Sequence, residues 1–498
     1  MREKCRIKEI GDHPGRKQKR VSERARGYYN NKNMRILLIR PNSIIIATPV
    51  PLGLGYIASY LLKRRPDDRV KIIDARNLRL SNAQVVEEAI KFSPDLIGIS
   101  AINFEADQVH KLTRLLKSAL GPVPIVLGGP YASANREAIL DQDADLDYVV
   151  VCEGEQSFFE LVQKLEKQEP VAGVAGIIFR ENGVVKFTGE RAPIDDLDQL
   201  DFDWELLNPK SYFQRRGRNS ENIVKYSHKT LTILTSRGCP YGCIFCHNIF
   251  GRKFRKRSAE DVVNEIVLLK EKYGVEELEI VDDSFNMDLK RAKQICRGII
   301  ERKLKIHIAL PNGIRGDIVD EEFLDLLKQA GFYRIAFAVE SASPRIQEIM
   351  KKKIDLQKVK WAIAEVSKRG MIATGYFIMG FPTETEQDIR MTIDFARSSK
   401  LNVASFFYLN PFPGTEVAKM AGEEKVIDKL FRDYSTMTVN LSAVDDQTLH
   451  RLNKAAYRSF YVSPARAWRT LKVVPRNFRT FINMFLVFKL LFQDSVNQ

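Results

Sequence analysis

Three of the six cysteines in this chain lie within eight residues of one another, at Cys239, Cys243 and Cys246. They are separated by three and then two residues on a Gly- and Pro-containing segment, so their thiolates can share one iron–sulfur cube. Three thiolates leave the fourth iron of a cube without a protein ligand, and that iron can bind a small molecule. The alternative is a zinc site completed by the adjacent His247, although structural zinc usually takes two well-separated CxxC pairs.

The other three cysteines, Cys5, Cys152 and Cys296, are scattered along the chain. This distribution is not a disulfide framework, and it indicates a reducing compartment with one thiolate site. The N-terminus has no apolar run typical of a secretory signal. We therefore expect a cytoplasmic protein.

A chain of 498 residues is longer than one hydrophobic core usually supports, so we expect two large domains with extensions. The net charge of +15 is concentrated at the two ends. Residues 1–33 carry eleven Lys and Arg against four Asp and Glu, and they are predicted to form a basic, disordered tail. Such tails can bind nucleic acid or an anionic membrane, and we expect no nucleic-acid partner.

The longest apolar stretch spans residues 478–492, in a region where residues 463–492 carry six Lys and Arg and no acidic residue. At about 15 residues it is shorter than the roughly 20 that a bilayer span requires. It could lie in a membrane interface beside its basic residues, or it could pack as a terminal helix on the protein itself. The sequence leaves both alternatives open, including peripheral membrane association.

Residues 34–168 alternate short β-rich runs with amphipathic helical runs, which predicts a doubly wound, Rossmann-like parallel sheet. Sheets of this kind bind ligands outside the carboxyl ends of their strands. Residues 169–228 break the rhythm and are predicted to be a linker with a hairpin that turns at Asn182 and Gly183. The predicted strands of the sheet are 35–40, 70–74, 96–100, 125–127 and 148–151.

Residues 229–430 contain a second alternating series, which predicts a partial (β/α)6 TIM-like barrel with its chemistry at the C-terminal ends of the strands. Capping boxes are predicted at Ser258 and at Thr383 with Glu386, and residues 431–498 are predicted to be a C-terminal helical extension. The cysteine cluster comes just after the first strand of the barrel. The predicted strands are 231–235, 278–281, 305–309, 334–339, 373–379 and 403–408.

A CxxxCxxC segment after the first strand of such a series, with an aromatic residue before its last cysteine, resembles the radical S-adenosylmethionine (SAM) superfamily. The resemblance covers residues 229–430 and implies a 4Fe-4S cluster on Cys239, Cys243 and Cys246, with SAM on the open iron. One departure is an Asp-Asp pair where the family commonly has a Gly-Gly-Glu-like segment. The SAM contacts implied by the resemblance are Phe245, Asp282, Asp283, Glu340, Ser341, Gly380 and Phe381.

Residues 34–168 resemble the cobalamin-binding domain that precedes many radical SAM cores. The DxHxxG motif is absent, so the resemblance implies cobalamin without a protein histidine on cobalt. A fold of this type that has lost its cofactor is the alternative. The implied cobalamin contacts are Leu52, Gly53, Ser100, Gly128, Gly129, Glu153 and Gly154.

The pairing of the two modules implies a cobalamin-dependent methyltransferase that acts on an unactivated carbon or on phosphorus. Two alternatives remain: a cyclase or oxidase with the same cofactors, and a non-enzymatic cobalamin or redox sensor. A methylthiotransferase is disfavoured, because that family needs three more cysteines in the first domain. The expected partners are a small-molecule substrate, including the hydrophobic or lipid-like class, and an electron donor such as flavodoxin or ferredoxin.

Overall fold

The computed structural model describes residues 33–43, 49–213, 224–422 and 436–475. The predicted basic tail, apart from its last residue, and the apolar segment at 478–492 lie outside the described residues.

The N-terminal module is built on a seven-stranded sheet with the order β2-β1-β3-β4-β5-β6-β7. Its first five strands are parallel, and two separate clusters of buried apolar side chains cover its two faces. Helices on both faces of a parallel sheet define the doubly wound fold, so this prediction is confirmed. The strands are β1 (Arg35–Arg40), β2 (Arg69–Asp74), β3 (Leu96–Ser100), β4 (Ile125–Gly128), β5 (Tyr148–Val150), β6 (Ile177–Glu181) and β7 (Val184–Phe187).

The hairpin predicted at Asn182 and Gly183 is formed by β6 and β7, and both turn residues have positive φ, at 53° and 82°. It does not stand apart in a linker, because β6 pairs antiparallel with β5 and so extends the N-terminal sheet beyond residue 168. Without β6, the N–H and C=O groups along the outer edge of β5 would be unpaired, and pairing with β6 satisfies them. The domain boundaries proposed from the sequence remain predictions.

The second module contains a six-stranded, all-parallel sheet with the order β15-β14-β13-β12-β11-β8. Within the described residues β8 and β15 are the two ends of the sheet and do not pair, so the barrel is partial, as predicted. The strands of this sheet are β8 (Thr230–Ile233), β11 (Glu277–Ile280), β12 (His307–Ile314), β13 (Phe332–Glu340), β14 (Ile372–Met379) and β15 (Val403–Tyr408). A separate two-stranded sheet is formed by β9 (Ser236–Arg237) and β10 (Arg255–Lys256).

Helices connect the strands of both modules. The described α-helices are α1 (Leu52–Arg64), α2 (Ala75–Leu78), α3 (Asn82–Phe92), α4 (Ala106–Leu120), α5 (Gly129–Asn135), α6 (Glu137–Gln142), α7 (Gly154–Glu166), α8 (Ala259–Tyr273), α9 (Leu289–Glu301), α10 (Glu321–Gln329), α11 (Pro344–Ile349), α12 (Leu356–Lys368), α13 (Glu386–Ser398), α14 (Glu416–Ala421), α15 (Asp446–Tyr461) and α16 (Pro464–Val473).

Of the two predicted capping boxes, one is formed in part and the other is wrong. Ser258 caps α8, and its side chain accepts the N–H of Asp261. At Ser258 the reciprocal half is absent, because the Ser258 N–H donates to Asp198 at 2.7 Å and not to Asp261. The cap of α13 is Thr385 with Asp388, so the capping box predicted at Thr383 with Glu386 is wrong. Thr383 has a φ of 61°, because it belongs to the turn after β14 and not to the helix.

Helix α15 lies along β15, the edge strand of the open barrel. The N–H of Phe406 donates to the Tyr457 hydroxyl at 3.0 Å, and the Tyr461 hydroxyl donates to the carbonyl of Ala404 at 2.9 Å. The Asn453 amide donates to the Phe406 carbonyl at 3.1 Å. Side chains therefore satisfy backbone groups that a seventh strand would otherwise pair. Along the described chain, every helix is too short or too polar to cross a bilayer.

Candidate active site

The three cysteines lie on one loop that begins and ends in a short two-stranded stem. Strands β9 and β10 pair antiparallel, and residues 238–254 form the loop between them. Within the loop, the Cys239 N–H donates to the Gly251 carbonyl at 3.3 Å, and the Cys246 N–H donates to the Cys243 carbonyl at 3.2 Å. The stem follows β8, which puts the loop at the carboxyl edge of the barrel strands.

The carboxylate of Asp282, which follows β11, anchors the base of this loop. It is buried and accepts three hydrogen bonds, from the Thr235 N–H at 2.6 Å, from the Thr235 hydroxyl and from the Ser236 hydroxyl at 2.6 Å. Its neighbour Asp283 accepts the Gly238 N–H at 3.0 Å. A carboxylate that already accepts three hydrogen bonds can accept few more. Asp282 is therefore better suited to hold the loop than to bind SAM.

The sulfurs of the loop are electrostatically coupled. Burial raises the pKa of Cys239 and of Cys243. Cys246 is the most exposed of the three, yet lost hydration, followed by the charges of Cys243, Asp283 and Cys239, raises its pKa to about 12. Three neighbouring thiolates are therefore unfavourable without a cation between them, and iron supplies that positive charge.

The spread of the three sulfurs along one loop is compatible with a 4Fe-4S cluster, because the three cysteines of a cube bind three different irons and need not meet at one point.

Two cations near the sulfurs were missed by sequence reasoning. Lys352 and Arg315 each lower the pKa of Cys239 and of Cys243, against the stronger effect of burial. The ammonium of Lys352 is buried and donates to Glu340 at 2.8 Å. It lies in a run of three lysines, which ordinarily indicates a solvated surface, so the sequence gives no signal for it.

Arg315 is held beside the loop by stacking, by backbone carbonyls and by an ion pair with Asp317, to which it donates at 3.1 and 2.6 Å. Its guanidinium lies 3.8 Å from the ring centroid of Tyr241, inside the cysteine loop. It also donates to the carbonyls of Lys352 at 3.0 Å and of Lys353 at 2.9 Å. These bonds fix a positive charge beside the cysteines and tie the loop to the segment after α11.

The structure brings several of the predicted SAM residues together at the carboxyl ends of β13 and β14. The rings of Phe245 and Phe381 meet edge to face, with centroids 5.7 Å apart, in one apolar cluster. Glu340 has a φ of 65°, a conformation uncommon outside glycine, and Gly380 has a φ of 102°. Such strained positions concentrate at ligand sites.

Ser341 is brought to the same edge, but its side chain is turned inward. It is fully buried, and its hydroxyl lies 3.1 Å from that of Thr392 on α13. The Ser343 N–H donates to the Ser341 hydroxyl at 3.3 Å. The Ser341 hydroxyl therefore stabilises the end of the strand, as the Asp282 carboxylate stabilises the loop.

Glu384 was also missed, although it lies four residues after Gly380. Its Oε2 accepts the N–H groups of Gly380 at 2.6 Å and Phe381 at 3.1 Å, while its buried Oε1 has no hydrogen-bond partner among the described residues. Burial raises the pKa of this carboxyl to about 8, so it is protonated at neutral pH. A single acidic residue in a turn gives no sequence signal for such a role.

We expect Glu384 to make the protein less stable as the pH rises from about 4.5, the ordinary pKa of glutamate, to about 8. In that range the folded state binds one more proton than the unfolded state, so stability falls by up to about 1.4 kcal/mol per pH unit. In Glu384→Gln this contribution disappears, and the urea midpoint should vary less between pH 5.5 and 8.5. The exposed Glu386→Gln is the matched control, and an equal pH dependence in all three proteins would contradict the assignment.

The predicted cobalamin residues Ser100, Gly128 and Gly129 lie together at the carboxyl ends of β3 and β4. Gly129 has a φ of 86°, and a Cβ there would lie 2.7 Å from the Ser100 hydroxyl oxygen and 2.9 Å from the Ala101 carbonyl oxygen. Only glycine fits this close approach. The glycine thus lets the turn after β4 pack against the end of β3, at the edge where doubly wound sheets bind their ligands.

The other predicted cobalamin residues have mixed surroundings. Leu52 and Gly53 begin α1; Leu52 packs partly buried beneath it, and a Cβ on Gly53 would meet no atom within 4 Å. Gly154 lies close to Ile57, where a Cβ would be 3.0 Å from its Cδ1. The Glu153 carboxylate accepts from Arg255 of the barrel module at 3.0 Å, so it is already engaged across the two modules.

The ligand-binding edges of the two modules face each other. The side-chain amide of Asn103, just after β3, lies 3.4 Å from Nε2 of His247, which follows the last cysteine. Phe412, after β15, contacts both the His247 ring, at 5.2 Å between centroids, and the Phe104 ring, at 6.1 Å. Burial lowers the pKa of His247 to about 4, so its imidazole is neutral at this contact.

A cavity of about 180 Å³ opens between the modules beside the cysteine loop. Its walls come from the end of β5, from the segment after β7 and from the loop after the cysteines, and they are mainly apolar. The lining includes Cys152, Glu153, Arg191, Ile249 and Phe250.

Comparison with known proteins agrees with this geometry. The model of the radical SAM superfamily matches residues 233–396, and that of the B12 binding domain matches residues 47–162. An uncharacterized methyltransferase of Pyrococcus horikoshii is 32% identical over 444 residues, which cover 87% of this chain and 94% of the relative. The chain belongs to the cobalamin-binding radical SAM family. As a radical SAM enzyme of this family it uses a 4Fe-4S cluster, SAM and cobalamin, and the sensor alternative is excluded.

Two further relatives of this radical SAM enzyme cover most of its length. Cytidylyl-2-hydroxyethylphosphonate methyltransferase of Streptomyces wedmorensis is 29% identical and covers 88% of this chain and 92% of that protein. The cobalamin-dependent SAM radical enzyme OxsB, solved with aqua-cobalamin and SAM bound, superposes with a TM-score of 0.70 at 18% identity, covering 94% of this chain and 74% of OxsB. At that identity the superposition supports the fold alone.

Proposed function

We propose that this radical SAM enzyme is a cobalamin-dependent methyltransferase acting on an unactivated carbon or on phosphorus. The observation that carries the proposal is the direct contact between the two ligand edges, at Asn103 with His247 and at Phe104 with Phe412. A cluster-bound SAM and a cobalamin would then share one space, as methyl transfer through both cofactors requires. Methyltransferases among the relatives, over most of both chains, support the same conclusion.

The roles proposed for individual residues follow from their positions. When bound, the cluster, SAM and cobalamin supply reductive cleavage of SAM and a transferable methyl group. Cys239, Cys243 and Cys246 hold three irons, while Lys352 and Arg315 offset the negative charge of their thiolates. A positive field beside a cluster favours its reduction.

The side chains around the cluster are proposed to orient SAM and to exclude water. Phe245 and Phe381 provide an apolar wall for the adenine. Asp283 follows β11 and Glu340 ends β13, with β12 between them. Each carboxylate has one oxygen already bound, that of Asp283 by the Gly238 N–H and that of Glu340 by Lys352. On the facing edge, Ser100, Gly128 and Gly129 are proposed to contact cobalamin, because they lie at the carboxyl ends of β3 and β4.

The proposal predicts two products in one assay. Anaerobically reconstituted enzyme, given methyl-labelled SAM and cytidylyl-2-hydroxyethylphosphonate as the first acceptor tested, should form 5′-deoxyadenosine and S-adenosylhomocysteine together. Label should enter the acceptor, because methyl transfer consumes one SAM for the radical and another for the methyl group. 5′-Deoxyadenosine together with an altered acceptor that carries no label would instead support the cyclase or oxidase alternative.

A low-potential electron donor such as flavodoxin or ferredoxin is proposed as a partner, since the cluster must receive one electron for each SAM cleaved.

Peripheral contact with an anionic membrane, and hence a hydrophobic or lipid-like substrate, is also proposed. Val462, Trp468 and Leu471 are exposed at or near α16, with fractional exposures of 66%, 64% and 44%. The Lys472 ammonium lies 5.1 Å from the Trp468 ring centroid, a combination typical of membrane interfaces.

We expect the full-length protein to float with vesicles that contain phosphatidylserine and to float less with purely zwitterionic vesicles. Trp468→Ser should reduce flotation at least twofold, because tryptophan anchors helices at the headgroup level. Trp361→Ser is the matched control, since this tryptophan is also exposed but lies on α12 of the barrel. Failure of the intact protein to float would reject membrane contact and would leave the proposed methyl transfer unaffected.

A further inference from the structure

Two buried arginines flank the cysteine loop, and both are bound by carboxylates of the other module. Arg237 and Arg255 stand opposite each other in the β9–β10 stem, and each is only 3% exposed. Arg237 donates to Glu155 at 2.7 Å, and its other terminal nitrogen lies 3.3 Å from Glu153. Arg255 donates to both oxygens of Glu153.

The four charges form one network that also binds the loop. Within it, Arg237 Nη1, Arg255 Nε and Glu155 Oε2 have no hydrogen-bond partner among the described residues. Arg255 also donates to the Phe250 carbonyl inside the loop at 2.8 Å and to the Ile194 carbonyl at 2.7 Å. The guanidinium of Arg237 lies 4.8 Å from the ring centroid of Tyr56 in α1 and 5.3 Å from that of Phe250. Both ends of the stem are therefore held by residues of the N-terminal module.

The position of the network relates it to the cluster. Arg237 is two residues before Cys239, so a displacement of its side chain moves the start of the loop. Glu153 and Glu155 follow β5, at the same carboxyl edge as Ser100 and Gly129. Buried charges of this kind are satisfied only while all partners are present, since removal of one leaves another unpaired in a poorly hydrated site.

We propose that Glu153 and Glu155 are positioning residues for the iron–sulfur cluster and that they act through Arg237 and Arg255. They connect the edge proposed to bind cobalamin to the loop that binds iron, and Glu153 is not itself a cobalamin contact. The carboxylate of Glu153 is fully engaged with arginine, which leaves it unsuited to a second ligand. The proposal rests on the presence of both cofactors and does not require that methyl transfer be the reaction.

The test uses Glu153→Gln and Glu155→Gln in the full-length, anaerobically reconstituted protein. The measurements are the electron paramagnetic resonance (EPR) spectrum and midpoint potential of the cluster, with and without SAM, and the affinity for hydroxocobalamin by absorbance titration. Both variants should lose at least half of their bound iron or show an altered SAM-dependent EPR spectrum, with cobalamin affinity within twofold of the parent. Glu160→Gln is the matched control, because Glu160 also lies on α7 and pairs with an arginine, Arg191, that is not part of the β9–β10 stem.

If a single variant fails to fold, Glu155→Gln combined with Arg237→Gln removes both charges and leaves neither unpaired. This double variant should fold and should still show the altered cluster spectrum. A parental cluster spectrum in it, or single variants indistinguishable from Glu160→Gln, would overturn the proposal. So would a tenfold loss of cobalamin affinity with the cluster unchanged. None of these measurements needs a methyl acceptor, so failure of the methyltransferase proposal would be seen separately in the product assay.

Discussion

Cys243→Ser should abolish SAM cleavage and remove most of the iron and sulfide from the reconstituted protein. A cube held by three thiolates loses one of three protein ligands, and a serine hydroxyl is a poor replacement because it stays protonated at neutral pH. Burial and neighbouring negative charges raise the pKa of the two remaining cysteines, Cys239 and Cys246. We therefore expect these two thiols not to retain the cluster by themselves. Iron and sulfide per chain, together with 5′-deoxyadenosine formation, measure the effect.

The control for this substitution is Cys152→Ser. Cys152 is also a half-buried thiol whose pKa is raised by burial, but it lies after β5 and outside the cysteine loop. We expect it to keep the parental iron content and SAM cleavage. Full iron content and activity in Cys243→Ser would contradict the assignment of the cluster to this loop.

Gly238→Ala should produce the second largest loss, because it forces the cysteine loop away from its stem. Gly238 has a φ of 84°, and a Cβ there would overlap the carbonyl oxygen of Lys253 and lie 2.9 Å from that of Gly251. Both obstacles are backbone atoms, and Gly251 also accepts the Cys239 N–H, so neither can yield without opening the loop. The backbone strain alone costs about 1 kcal/mol, and the steric overlap adds to it.

Gly251→Ala is the matched control for this effect. Gly251 also has a positive φ, 75°, but a Cβ there would meet no atom within 4 Å. The stability of Gly251→Ala should therefore fall by only about 1 kcal/mol, the cost of placing alanine at a positive φ, and the variant should retain its iron. Iron content and the thermal midpoint of each variant distinguish the two. Equal losses in both would show that the close packing at Gly238 does not matter.

The parts of the fold that depend on local pattern could be predicted from the sequence. β1 and β3 begin and end where the sequence predicts, because strands buried on both faces give nearly uninterrupted apolar runs bounded by turns. β15 also has the predicted bounds, and its side chains alternate between buried and half-buried positions. The cysteine loop was predictable for a similar reason. Its chemistry is encoded in the spacing of three residues on one segment.

The parts that depend on distant partners could not be predicted. Asp282 and Glu153 both follow strands at binding edges, so they resemble ligand contacts, but their partners come from 46 to 47 and from 102 positions away. Lys352 has the sequence environment of a surface lysine and is buried against Glu340. Whether a polar side chain serves a ligand or the protein is decided by what packs against it, which no local pattern records.

The tyrosine contacts along β15 have a consequence for self-association. An edge strand with free backbone groups is a template on which a second chain can add a strand. Here the hydroxyl groups of Tyr457 and Tyr461 pair with the backbone of β15, and the apolar side chains of α15, including Leu452 and Phe460, are buried in the barrel core. The helix thus protects this edge of the sheet against aggregation.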